Sequence, residues 1–110
     1  MIEDTIGKIE ERIQGTDAIK EDRRRELLQL LGTLKAEVEE LSKTHGEQAE
    51  SIAGFTDVST HEATRTEQNP VLLKLSIQGM RSSVSGFEES HPRLVRIVNA
   101  ISHTLSNLGI

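Results

Sequence analysis

The chain has 110 residues, a net charge of −5 and no cysteine, tyrosine or tryptophan. One domain is the default at this length. The missing thiols exclude a disulfide scaffold, a thiolate zinc site and a cysteine nucleophile.

A compact chain of this size exposes about 6,000 Å², against about 18,000 Å² unfolded, so a real core can form. Its material is aliphatic: 12 Leu, 10 Ile and 6 Val, with two Phe. No apolar run approaches the roughly 18 residues of a membrane span, and the N-terminal MIEDTIGKIEER is charged throughout. Neither a transmembrane helix nor a secretory signal is expected, and the cytoplasm is the expected compartment. Charge is uneven. Residues 1–50 carry 8 Lys/Arg and 13 Asp/Glu, and residues 51–110 carry 5 of each. An acidic half repels phosphate, so nucleic acid is not an expected partner. Arg23, Arg24 and Arg25 sit among Glu21, Asp22 and Glu26, which reads as a solvated helix face with local ion pairs rather than an anion site.

The pattern is helical nearly throughout, giving an all-α class. Ile2, Ile6, Ile9 and Ile13 form one stripe of a short helix over about 2–14. Gly15, Thr16 and Asp17 supply a C-terminal glycine and N-cap candidates. A long helix follows over about 18–45, with Leu27, Leu31, Leu34, Val38 and Leu41 as its stripe and Leu28 and Leu30 widening it. Residues 43–69 carry the weakest pattern: Ile52, Phe55 and Val58 continue a sparse stripe, followed by a polar, Thr-rich stretch. Asn69-Pro70 breaks the chain and suits a new first turn.

The last third is the most regular. Leu73, Ile77, Met80, Val84 and Phe87 step at alternating helical spacing, as do Leu94, Val98, Ile101, Leu105 and Leu108. The two runs share one heptad frame, with His91 in the gap beside Pro92. They read as helices over about 70–89 and 91–108, or as one helix kinked near Pro92. The continuous frame favours the kinked path. Gly79 and Gly86, seven apart, suggest close helix packing, and Leu108-Gly109-Ile110 reads as a capped helix end. Such a chain is an elongated helical hairpin or a bundle with heptad-type packing. Its unburied stripes would be covered by self-association into a dimer or tetramer. The fifteen stripe residues from Leu27 to Leu41, Leu73 to Phe87 and Leu94 to Leu108 are the candidate core or self-association set, with Met80 and the two Phe as core.

Residues 87–110, FEESHPRLVRIVNAISHTLSNLGI, resemble a family of short bacterial proteins catalogued only as a domain of unknown function. The shared features are Phe87-Glu88, His91-Pro92, the apolar helix from Leu94 to Leu108, and Gly109-Ile110. Residues 21–39 are similar to the family's acidic, Leu-rich helix. The stretch 43–69 is longer and more Thr-rich than the family pattern. The resemblance implies a small all-helical fold and a bacterial origin, and it implies no activity.

Chemistry-bearing constellations are few. Glu88 and His91 at i and i+3 on a helix would ligate one metal, and di-iron bundles use two such pairs. Only one pair is present, so the plainer reading is a solvated or capping Glu88 and a His91 ring bonded to a carbonyl freed by Pro92. His45, His61 and His103 lack ligand spacing, and Asp57 with His61 is an isolated i,i+4 pair. No nucleophile elbow or phosphate loop occurs. The run Val71-Leu72-Leu73-Lys74-Leu75, with Arg81, would suit a membrane surface but not a span. The expectation is a non-catalytic structural or interaction protein that needs no cofactor and whose partner is itself. An adaptor that holds a helix of another protein is the alternative, and a metal-dependent bundle around Glu88 and His91 ranks below it.

Overall fold

In the computed structural model, which describes residues 2–108, the chain forms five helices and no strand among the described residues. They are α1 (Ile2–Gly15), α2 (Glu21–Ser42), α3 (Gly46–Thr64), α4 (Pro70–Ser83) and α5 (Pro92–Leu108). Of the two expected shapes the chain adopts the bundle. Its extents are 37 × 24 × 22 Å and its radius of gyration is 12.9 Å, the compact value of about 13 Å for this length. The accessible surface, 6391 Å², is likewise that of a folded-back chain. An elongated hairpin is therefore excluded. The longest helix, α2, at about 33 Å, already spans the long axis.

The helices pack in two layers. α3 lies between α1 and α4, and α2 and α5 pack together beneath them. α3 alone touches all four other helices. Apart from Ile52 and Glu62, its buried face is made of small and hydroxyl residues: Ala49, Ala53, Thr56, Ser59, Thr60 and Ala63. Small side chains let neighbouring axes come close on several sides. The hydroxyls are mostly satisfied internally. Thr56 Oγ1 donates to the Ile52 carbonyl at 2.8 Å and Thr60 Oγ1 to the Thr56 carbonyl at 2.8 Å. The sparse stripe read at Ile52, Phe55 and Val58 is corrected accordingly: Ile52 points in, whereas Phe55 and Val58 point out. Phe55 is not a core residue.

The connections explain the compactness. α1 ends at Gly15, whose backbone is not left-handed, since Gly86 is the one described residue with positive φ. Thr16 and Asp17 do not cap α2: its N-cap is Lys20, with no side-chain bond, and Thr16 Oγ1 instead accepts from the Ala18 N–H. The turn is held by Arg24, whose guanidinium donates to the carbonyls of Ile13, Gln14, Thr16 and Ile19. Asn69 caps α4 by accepting from the N–H groups of Val71 and Leu72 at 3.1 Å each, with Pro70 in the first turn.

The kinked path through Pro92 is replaced by a break. α4 stops at Ser83, and Gly86 takes φ +96°, a backbone conformation natural to glycine, which turns the chain. Gly86 is therefore a turn residue and not part of a packed helix face. The Glu88 side chain accepts from the Gly86 N–H at 2.9 Å, which fixes the turn, and Pro92 opens α5. The shared heptad frame of α4 and α5 thus crosses a chain reversal. Gly109 and Ile110, read above as a capped end, lie outside the described residues.

Candidate functional site

Thirteen of the fifteen stripe residues are buried inside this one chain: Leu27, Leu31, Leu34, Val38, Leu41, Leu73, Ile77, Met80, Val84, Leu94, Val98, Ile101 and Leu105. Phe87 and Leu108 are half-buried against the same core. Of the two roles expected for this set, core or self-association, these thirteen residues form core within the one chain.

Glu88 and His91 lie in the turn between α4 and α5, where Glu88 Oε1 is engaged by the Gly86 N–H at 2.9 Å. His91 Nδ1 is 2.9 Å from Ser90 Oγ, not on a freed carbonyl. Its ring packs edge-on against Phe87, with centroids 5.5 Å apart, and Phe87 packs edge-on against His45 at 5.4 Å. Among the described residues no group of three His, Asp or Glu side chains is placed to hold a metal.

The Arg23–Arg25 cluster divides by role. Arg23 pairs with Glu26 at 3.3 Å, and Arg25 is exposed. Arg24 is tied up by four carbonyls and by Glu21 at 3.2 Å, so it is unavailable to an anion. Sequence reading missed that role, because a carbonyl clamp leaves no spacing signature.

Asp57 and His61 are drawn into a polar seam between α1 and α3. Arg12 approaches His61 Nδ1 at 3.2 Å and Asp57 at 4.0 Å, while Glu62 pairs with Arg65 at 2.9 Å. An open groove of about 490 Å³ lies here, lined by Arg12, His61, Thr64, Arg65, Thr66 and Glu67. Arg65 is paired with Glu62 at the end of its own helix, and Arg12 reaches across from α1, while Arg12 Nε and Asp57 Oδ1 are buried without a hydrogen-bond partner among the described residues.

The outward face of α3 and α4 is different. Phe55 is 40% exposed, Val58 48%, Val71 66%, Leu72 42% and Leu75 56%. Phe55 sits nine residues before the end of α3 and Gly79 nine after the start of α4, and the Phe55 ring lies directly on Gly79. The two helices are therefore an antiparallel hairpin. A Cβ at position 79 would overlap that ring. In this register Val58 stands within one residue of the level of Leu75, and Phe55, Val58, Leu72 and Leu75 form one apolar strip across the hairpin, which Val71 extends. Such a strip holds on the order of 400 Å² of apolar surface, a size that on a monomer is often functional. Val71, Leu72 and Leu75 were visible in the sequence as an apolar run. Phe55 and Val58 are visible too, but helical spacing puts them on one sparse stripe with Ile52. No described helix is long and apolar enough to cross a membrane.

No curated protein and no solved structure matches the chain. Residues 27–110, which include α3, α4 and α5 whole and most of α2, match the family described as Domain of unknown function (DUF4404). The chain belongs to that family.

Proposed function

We propose that the protein is a non-catalytic interaction module whose working surface is the apolar face of the α3–α4 hairpin. One observation carries this reading. Five large apolar side chains stay exposed on one hairpin, while the rest of the core is closed. Water contact with that strip is costly, and covering it is the available gain. This reading moves the interaction surface from the α2, α4 and α5 stripes, most of whose residues are buried within the chain, to this face. An adaptor role for the same face is the second reading, favoured by the helical-hairpin geometry, which suits a helix laid along it.

Binding of an apolar dye to dilute protein tests the reading. Strong fluorescence in the wild type and its loss in Leu75→Asp, with helix content unchanged, is the expected result. Equal dye response in both proteins would refute it.

A further inference from the structure

The free charges of the hairpin lie on its outer flanks, Glu50 in a groove beside α1 and α2 and Arg81 in a groove beside α5. α3 carries no Lys or Arg; of its acids, Asp57 and Glu62 stand against Arg12 and Arg65, which leaves Glu47 and Glu50, whereas α4 carries Lys74 and Arg81 and no acid. Glu50 and Arg81 are exposed and make no ion pair among the described residues. Helical spacing puts Glu50 on the flank of α3 away from α4, and Arg81 on the flank of α4 away from α3.

Resting on the reading above, we propose that the occupant of this face is a second copy of the chain, packed about a two-fold axis parallel to the hairpin. Such an axis lays each acidic α3 on the other copy's basic α4 and apolar strip on apolar strip. It leaves levels along the hairpin unchanged. Counted from the Phe55–Gly79 contact, Glu50 and Arg81 then differ by about 5 Å along the axis, which their side chains span. Glu50 of one copy therefore stands opposite Arg81 of the other, twice per dimer. An anionic membrane would meet the α3 carboxylates, which opposes docking through Lys74 and Arg81. The strip is smaller than the roughly 800 Å² per partner of a stable interface, so the dimer is weak and concentration-dependent.

Sedimentation velocity from micromolar to millimolar protein tests this, with wild type, Glu50→Arg, Arg81→Glu, the double variant and Leu75→Asp. Circular dichroism checks that each variant is folded. The wild type is expected to pass from monomer to dimer, and Leu75→Asp to stay monomeric. Each single charge reversal should weaken the dimer about tenfold, because two exposed contacts change at once, and the double variant should recover most of that loss. A wild type that stays monomeric yet binds the dye overturns the second copy as occupant and leaves the interaction face standing. A wild type that stays monomeric and does not bind the dye overturns both. A dimer indifferent to Leu75→Asp and to the charge swap overturns the proposed geometry. Co-sedimentation of the monomer with phosphatidylserine vesicles would overturn it in favour of a membrane.

Discussion

Replacing Arg24 with Ala should destabilise the protein far more than the same change at Arg23 or Arg25. The Arg24 guanidinium donates to four carbonyls at the end of α1 and in the turn that follows, and three of these bonds are partly buried. Its side chain is 17% exposed and also pairs with Glu21, itself 68% exposed, so the ion pair adds little. A hydrogen bond from a charged donor contributes about 1.5–3 kcal/mol when buried. Discounting each bond to about 1 kcal/mol for partial exposure gives about 3 kcal/mol for the clamp. With an unfolding entropy of about 2.1 cal/mol/K per residue, that lowers Tm by about 13 °C. Arg24→Lys should recover only part of the loss, because a single ammonium cannot reproduce the planar fork. Thermal unfolding followed by circular dichroism reads all four variants. If Arg24→Ala melts within about 3 °C of Arg23→Ala and Arg25→Ala, a difference of under about 1 kcal/mol, the clamp contributes nothing and the reasoning fails.

Three further outcomes follow from the packing. The hydroxyls of Ser59 and Ser102 are buried without a hydrogen-bond partner among the described residues, so Ser59→Ala and Ser102→Ala should each raise stability by about 1 kcal/mol in urea unfolding. Gly86 holds φ +96°, so Gly86→Ala should cost about 1–2 kcal/mol, whereas Gly46→Ala, in open space at the start of α3, should cost far less. Ile101 is buried against the core, so Ile101→Asp should unfold the monomer itself, read as lost helix signal at any protein concentration. A folded Ile101→Asp protein that has merely changed its mass would contradict this.

The stripes of α2 and α5 could be read directly because each buries one face of large aliphatic residues at helical spacing. α3 was opaque for the opposite reason. It packs against four helices, so its inner face must be small, and Ala49, Ala53, Thr56, Ser59, Thr60 and Ala63 carry no hydropathy signal. Phe55 falls on the Ile52 stripe by spacing and is expected inward, yet its ring packs sideways on Gly79. A run of small residues at helical spacing was the available clue. The break before Pro92 was masked by an accident of register. Phe87 and Leu94 are seven apart, but the Gly86 turn lies just before them, and periodicity cannot sense a reversal. The candidate surface was half legible: Val71, Leu72 and Leu75 stood out as an apolar run with Lys74. Their neighbours across the hairpin appear only once the chain is folded.

The most direct test of the α3–α4 face is a dilution series of amide NMR spectra of the wild-type protein. The account predicts concentration-dependent shifts concentrated at Glu50, Phe55, Val58, Leu72, Leu75 and Arg81, with α1 and the outer side of α2 unmoved. Shifts centred on α1 or α2, or none up to millimolar protein, would contradict it.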